Sequence, residues 1–440
     1  MWENDRKKAK IKNIILLLLI LILSAVLLSA FLYLRGKSEA YDAELSAVQT
    51  EQQQQQTAER QETLDLIEAE YEKDLQCVEQ YMPGIVCWGD SVTLGASGST
   101  SFTSVLQKYI NTYICDIYDF RSTVEDAEDY ARLKWDDYKI SIPVVNMGAG
   151  PETSGTVLGR CGAVPYVTAA ALTIPAEAES VAVTLKTPSG KAVNPLTGGN
   201  AGINNVVIGG VEGILSIDTS PASGNKNGNS YHFTRLTPGS ETPVEAGSEV
   251  LTAGGEMYKD YIHIVCIGTY GGYDSPDELV EQVKQLLSRQ TNQSERYIVL
   301  GTSSDFKLEE ESRSRSREKS TETDPDAVDM AMLQAFGNRY ISLRRYFCGD
   351  GLIDGNVSKT KDDTSAVKQK TIPPSFLVSA DGAELNGKAN TLLGKLLFNQ
   401  MEELGYFDEI YEELHISETV SSILKDNPNY FQNMLKYLVK

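Results

Sequence analysis

A chain of 440 residues is long enough for a membrane anchor together with one large domain or two modest domains. The apolar share of 41% is ordinary for a globular protein and predicts a buried core. The formal net charge of −21 excludes the basic surface that a nucleic-acid-binding protein needs, so we expect no nucleic-acid partner.

The N-terminal region contains one long apolar run, residues 14–34, and about 20 residues of helix are enough to cross a membrane. Residues 1–13 before it are rich in Lys and Arg and few basic residues follow, which predicts a cytoplasmic N-terminus and an outward-facing remainder. The alternative is a cleaved signal peptide, whose apolar core is usually about 7–15 residues long. Because this run is longer and residues 30–32 (Ala-Phe-Leu) are a poor cleavage site, we predict a transmembrane helix.

Residues 35–81 are mostly polar and rich in Glu and Gln, which predicts a helical stalk between the membrane and the following domain. Apolar residues recur there at a spacing of three or four and offer a stripe for weak self-association: Leu64, Ile67, Tyr71, Leu75 and Val78. The glutamine run at 52–56 leaves a disordered tether as the alternative. Neither interpretation carries chemistry.

From residue 82 onward, short apolar strands alternate with helical segments. The predicted strands are 85–88, 142–145, 262–267, 297–300 and 340–342, and helical periodicity is present at 279–287 and 392–404. Strands that are buried on both faces and alternate with helices indicate a parallel sheet between helical layers. Residues 82–163 and 259–440 are therefore predicted to form a three-layer α/β sandwich.

A different pattern interrupts this alternation between residues 164 and 258. The segment is rich in Gly, Thr, Val and Pro, contains alternating apolar runs such as 181–185, and has no convincing helix. It predicts an inserted all-β module. Its role stays open between a lid or packing subdomain and a module that contacts a polymer or a partner.

Cysteine and histidine usage argues against the common metal sites. The six cysteines form no CxxC pair and none of the three histidines has the spacing of zinc ligands, so we expect no metal and no cofactor. Cys87 and Cys266 lie within apolar runs, which favours buried thiols over the alternative of a disulfide framework.

The segment 85–95, Ile-Val-Cys-Trp-Gly-Asp-Ser-Val-Thr-Leu-Gly, places a serine where a buried strand ends and a helix begins. We expect Ser91 at the carboxyl end of the parallel sheet, where open α/β folds bind their ligands. Its backbone N–H, at a helix N-terminus, is a natural donor to a developing oxyanion. Gly89 and Asp90 are expected to brace the turn, and a plain capping role is the alternative for Ser91.

Four segments, taken in chain order, resemble the sequence blocks of the SGNH (GDSL-type) hydrolases. They are GDSVTLG at 89–95, NMGAGPETS at 146–154, GTYGG at 268–272 and DGAELNG at 381–387. The first three follow predicted strands and the last precedes a helix. The resemblance spans residues 82–407 and implies the flavodoxin-like parallel sheet of that family, with the β module inserted between the second and third blocks.

The resemblance implies a serine nucleophile, two oxyanion donors and an Asp-His pair, and most of these positions differ in this chain. Ser91 matches the nucleophile. Pro151 replaces the glycine whose N–H donates to the oxyanion, and proline has no N–H. Tyr270 replaces the asparagine donor. In the last block Asp381 is present, whereas Glu384 replaces the histidine base.

These replacements predict a catalytically impaired protein. Loss of one oxyanion donor typically costs about 10²–10³ in turnover, and loss of a triad base about 10⁴–10⁶. We therefore predict a pseudoenzyme at the outer face of a bacterial cell membrane that binds an envelope polysaccharide, an acylated glycan or a protein partner. In this interpretation Gly150, Pro151 and Tyr270 line the ligand pocket.

Two alternatives stay open. In the first, the protein is an active serine esterase or carbohydrate deacetylase in which Ser91 is served by an atypical base, Glu384 with Asp381, and Tyr270 is the oxyanion donor. Two coupled carboxylates in a poorly solvated cleft would have separated pKa values, as this alternative requires. In the second, the motif matches are accidental and the true site lies in the β module.

Overall fold

The computed structural model describes residues 2–96, 100–125, 127–128, 130–193, 195–199, 201–218, 230–291, 296–303, 325–380 and 382–416. The chain divides into two compact units, Met1–Glu72 and Lys73–Lys440.

The N-terminal helix, α1 (Trp2–Tyr81), runs without a break through the predicted anchor and stalk. Among the described helices it alone is long and apolar enough to cross a membrane, with a window of mean hydropathy 3.2 that is 0% buried. A membrane span and a signal sequence share these properties, so the anchor and its orientation stay predictions. The glutamines at 52–56 lie within this helix, and the stalk stays a prediction.

The described strands of the second unit belong to three sheets. In order they are β1 (Ile85–Gly89), β2 (Val144–Gly148), β3 (Tyr166–Thr168), β4 (Leu172–Ile174), β5 (Ser180–Val183), β6 (Leu185–Lys186), β7 (Val206–Ile208), β8 (Val211–Asp218), β9 (Ser230–Arg235), β10 (Thr242–Val244), β11 (Glu249–Thr252), β12 (Ile262–Cys266), β13 (Tyr297–Leu300) and β14 (Tyr340–Ile341).

The helices after α1 are shorter and mostly flank the strands. They are α2 (Ser91–Leu94), α3 (Phe102–Ile110), α4 (Ser154–Arg160), α5 (Ala253–Met257), α6 (Pro276–Leu287), α7 (Pro325–Phe336), α8 (Leu343–Cys348), α9 (Asp350–Asp354), α10 (Lys361–Gln369), α11 (Gly387–Glu403) and α12 (Asp408–Glu413).

A five-stranded parallel sheet forms the centre of the second unit, with the order β14-β13-β12-β1-β2. The described pairings within it are all parallel. Because β1 lies between β2 and β12, the winding of the chain reverses at β1, which is the flavodoxin-like order. The predicted fold class is confirmed: helices accompany a parallel sheet, and a β module interrupts it.

One face of this sheet packs on α4, α6 and α7. The cluster includes Val86 and Trp88 of β1, Val265 of β12, and Leu279 and Val283 of α6, all buried. Their removal from water is the main stabilising contribution to this layer. The six cysteines, all within described segments, are free thiols, and three of them are buried: Cys87, Cys161 and Cys266.

The inserted module is antiparallel, as the described pairings of its strands show. A seven-stranded sheet has the order β5-β9-β8-β7-β11-β3-β6, and β10 pairs with β4 in a second, two-stranded sheet. The module has its own apolar core, which includes Tyr166, Leu215, Tyr231, Phe233 and Val250. Its strands lie within the predicted range 164–258, whose bounds stay a prediction.

Candidate functional site

The turn after β1 places Ser91 at the first position of α2. Asp90 caps this helix, because its Oδ1 accepts a hydrogen bond at 2.9 Å from the backbone N–H two residues later. The position before Asp90 requires glycine, because a Cβ on Gly89 would lie 2.1 Å from Thr93 Oγ1 and 2.5 Å from the Cys266 carbonyl oxygen. Gly89 and Asp90 thus shape the turn that carries Ser91, which is 4% exposed.

The turn after β2 lies against the same serine. A Cβ at Gly150 would lie 2.2 Å from Ser91 Cβ, and one at Gly148 would lie 2.1 Å from the Leu94 nitrogen. Only glycine permits two backbones to approach so closely. Pro151 follows Gly150 through a cis peptide bond, is exposed, and offers no N–H to this edge of the sheet.

The turn after β12 brings Tyr270 to Ser91. Gly268 and Gly271 have φ values of 102° and 75°, and the Gly271 N–H donates to the Gly268 carbonyl oxygen at 3.0 Å, so the chain turns tightly around Tyr270. The Tyr270 hydroxyl lies 2.5 Å from Ser91 Oγ, and either oxygen can be the donor. The first three sequence blocks therefore meet at one point.

The segment before α11 brings Glu384 to the same edge of the sheet. The Ser303 hydroxyl, after β13, donates to the Ala383 carbonyl oxygen at 2.7 Å, and the Ser303 N–H lies 3.5 Å from Thr269 Oγ1. These contacts tie the chain around the half-buried Glu384 to the turn that carries Tyr270. Asp381, the other member of the predicted acidic pair, lies outside the described residues.

Burial and nearby carboxyl groups influence the ionisation of Tyr270 and Asp90. Burial raises the pKa of the Tyr270 hydroxyl above its ordinary value of 10.0. The hydrogen bond with Ser91 lowers this pKa, whereas the charges of Asp90 and Glu384 raise it. Burial also raises the pKa of Asp90 to about 7. Hydrogen bonds to the Asp90 carboxylate lower this pKa, and the charge of Glu152 raises it. Tyr270 is therefore a neutral hydroxyl at pH 7.

None of the three histidines, all of which lie in described segments, hydrogen-bonds to Ser91. His263 lies in β12 opposite Val86, and its Nε2 is 3.2 Å from the Tyr258 carbonyl oxygen. Burial lowers the pKa of His263 to about 4. His232 is in β9 and His415 follows α12. In the described part of the chain, no group of three or more His, Cys, Asp or Glu side chains is arranged to hold a metal ion.

Sequence reasoning missed one member of this region, Arg160 at the end of α4. Its side chain is 1% exposed and forms an ion pair of 2.8 Å with Glu152, which belongs to the second sequence block. The signal in the sequence was a single arginine within the otherwise apolar segment 157–164. A buried arginine needs acceptors close by, and only the tertiary structure identifies them.

Comparisons with known proteins place few constraints on this site. No family model matches the chain, and no curated protein matches it. A solved structure titled "Peptidoglycan O-acetylesterase in action, 5 min" is similar at 14% sequence identity and a TM-score of 0.26, over 76% of this chain and 95% of that chain.

Proposed function

We propose that this protein is a membrane-anchored, outward-facing domain that binds an acylated envelope glycan and hydrolyses it poorly or not at all. The observation that carries this proposal is the 2.5 Å contact between Ser91 Oγ and the Tyr270 hydroxyl. In an active serine hydrolase, the nucleophilic hydroxyl hydrogen-bonds to a general base. In this protein its partner is a phenol.

A phenol does not replace that base at neutral pH. Burial and neighbouring carboxylates raise the pKa of Tyr270, so its hydroxyl stays protonated and does not take up the Ser91 proton. Pro151 also removes one N–H from the turn that packs on Ser91. Loss of a donor costs about 10²–10³ in turnover and loss of a base costs more, so little hydrolysis is expected.

The groups that remain suit the recognition of a sugar. Pro151 is exposed and Tyr270 half-buried, and both offer apolar surface on which a pyranose ring can pack. Glu384 supplies carboxylate oxygen atoms beside that surface for hydrogen bonds with sugar hydroxyls. An envelope polysaccharide is the proposed ligand, because a domain held outside the membrane by α1 faces the envelope. A protein partner is the alternative occupant.

A second candidate function is a weak serine esterase or carbohydrate deacetylase. The observation in its favour is that Glu384 is held at the same edge as Ser91, through the bond between Ser303 and Ala383. A half-buried carboxylate there is a candidate base, and the neutral Tyr270 hydroxyl is a candidate oxyanion donor.

The test separates the two functions on the same protein. The full chain, purified in detergent, is assayed for hydrolysis of an activated acetyl ester between pH 4 and 9 and for binding of O-acetylated peptidoglycan fragments, with Ser91→Ala as the control. We expect glycan binding that survives Ser91→Ala, and no ester hydrolysis above that of Ser91→Ala. A rate that is lost in Ser91→Ala would replace the binding proposal with the esterase, and Glu384→Gln would then test the base.

A further inference from the structure

Arg160 joins the carboxyl ends of two neighbouring strands. Its Nη2 donates to the Gly89 carbonyl oxygen at 3.0 Å, at the end of β1, and its Nη1 donates to the Met147 carbonyl oxygen at 2.9 Å, in β2. Its Nε donates to Glu152 Oε2 at 2.8 Å. The planar guanidinium, with donors in fixed directions, can serve three acceptors at once.

These acceptors lie in or just before the two turns that meet at Ser91. Gly89 is two residues before Ser91, and its carbonyl oxygen also accepts from the Ala149 N–H at 3.1 Å. Glu152 is two residues after Gly150, whose Cα lies directly against Ser91. Arg160 therefore holds the turn of the serine and the turn that packs on it in one hydrogen-bonded unit.

The ion pair of Arg160 and Glu152 is nearly closed to water, with side chains 1% and 12% exposed. Burial raises the pKa of Glu152, and the charge of Arg160 opposes this rise. Without the arginine, a buried carboxylate would be left beside the Ser91 turn without its partner, and the backbone there would have to rearrange or admit water.

The inserted β module holds the helix that carries this arginine. The Thr252 hydroxyl, at the end of β11, donates to the Arg160 carbonyl oxygen at 2.6 Å. The Tyr166 hydroxyl, in β3, donates to the Thr156 carbonyl oxygen at 2.9 Å. A Cβ at Gly159 would lie 2.2 Å from the Tyr166 ring, so the helix packs directly on the module.

We infer that Arg160 is the residue that positions Ser91 against Tyr270, and that the inserted module fixes Arg160 through Thr252. The module then acts as a rigid support of the site. Arg160 would hold this position whether the site binds a glycan or hydrolyses an ester, because the distance between the two side chains is a property of the free protein.

The test uses a spectroscopic readout of that pair. Tyr270 is replaced site-specifically by 3-fluorotyrosine in the full chain, in detergent, and its ¹⁹F resonance is recorded with and without Ser91→Ala, which defines the full change on loss of the hydrogen bond. We expect Arg160→Gln to move the resonance by at least half of that change. Arg160→Lys keeps the positive charge but lacks the planar guanidinium with its several N–H donors, so it should give an intermediate shift. Thr252→Val should give a smaller shift in the same direction.

The control is Arg344→Gln, which removes an equally buried ion pair, with Asp329 at 2.8 Å and both side chains 4% exposed. It should lower the thermal stability but leave the ¹⁹F resonance in place. If Arg160→Gln does not fold, Arg160→Lys and Thr252→Val carry the test. Shifts below a tenth of the Ser91→Ala change, or an equal shift from Arg344→Gln, would overturn the inference.

Discussion

The hydroxyl of Tyr270 lies 2.5 Å from Ser91 Oγ, at the carboxyl edge of a parallel sheet where β1 and β12 adjoin. In the SGNH hydrolases, whose sequence blocks this chain resembles, an asparagine occupies the position of this tyrosine. The tyrosine reaches the serine because two glycines with positive φ turn the chain around it. The contact joins two residues that are 179 positions apart in the sequence.

Tyr270→Phe removes this hydrogen bond and keeps the ring. We expect the free energy of unfolding to fall by about 0.5–1.5 kcal/mol, the usual net contribution of one hydrogen bond. Urea unfolding followed by circular dichroism measures it. Tyr346→Phe, whose hydroxyl donates to Asp354 at 2.9 Å, is a control for loss of a phenol elsewhere. A Tyr270→Phe variant more stable than the parent would contradict the bond.

Introducing the residues of the hydrolases that the sequence blocks resemble should produce turnover only when all are changed together. In the triple variant Pro151→Gly, Tyr270→Asn, Glu384→His we expect hydrolysis of an activated acetyl ester that disappears on adding Ser91→Ala. Each single change should stay at background, because groups that act as a unit are strongly non-additive. Initial rates of the parent and the five variants decide this. A parent as active as the triple variant would refute the impaired-enzyme proposal.

Asp90 should make the folded state less stable as the pH rises. Its pKa is about 7 in the folded state against 3.8 for the free group, so the folded state binds more protons than the unfolded state between these values. Stability therefore falls from about pH 4 to pH 7, by on the order of 4 kcal/mol at most. Asp90→Asn keeps an acceptor at the cap and should flatten this dependence.

The measurement for Asp90 is the free energy of unfolding in urea at pH 5 and pH 8, for the parent and for Asp90→Asn. The variant should gain stability relative to the parent on going from pH 5 to pH 8. An identical pH dependence in both proteins would mean that Asp90 ionises normally in the folded state.

Gly150→Ala should disturb the Ser91 turn, because its Cβ would lie 2.2 Å from Ser91 Cβ. We expect a loss of about 1–3 kcal/mol in the free energy of unfolding, as for other overpacked positions. Gly155→Ala in α4 is the matched control: its Cβ would meet nothing within 4 Å, and alanine favours the helix by up to about 1 kcal/mol. Equal effects of the two changes would rule out the close approach.

The predicted membrane anchor can be tested by introducing charged residues into the apolar run. Leu19→Lys with Leu23→Lys places two lysines in the apolar run, and each costs about 2.5–3.5 kcal/mol at the centre of a membrane helix. We expect this variant to leave the membrane fraction, whereas Gln53→Lys with Gln55→Lys in the stalk should stay there. Immunoblots of the fractions and the mass of the membrane-bound chain provide the readout. A parent that has lost its N-terminal segment would indicate a signal peptide.

The fold class was predictable because its signals are local. The run Ile85–Gly89 is apolar at every position because it is buried on both faces. A strand of this kind has the same sequence pattern wherever it lies in the sheet. The turns of the inserted segment are also predictable from local sequence, because the backbone conformations of turns favour Gly, Pro and Asn. Strand bounds are less predictable: the apolar pattern predicts a strand at residues 142–145, whereas β2 is Val144–Gly148.

The amino-acid sequence by itself determined the apolar N-terminal helix, the alternation of strands and helices, the inserted module and the absence of a histidine at the expected place. The tertiary structure alone decided that the Tyr270 hydroxyl hydrogen-bonds to Ser91 and that Arg160 joins two strand ends. The physical reason is distance along the chain. Periodicity records which side of an element is buried, but a hydrogen bond or a buried ion pair depends on which remote atoms the folded sheet brings within about 3 Å.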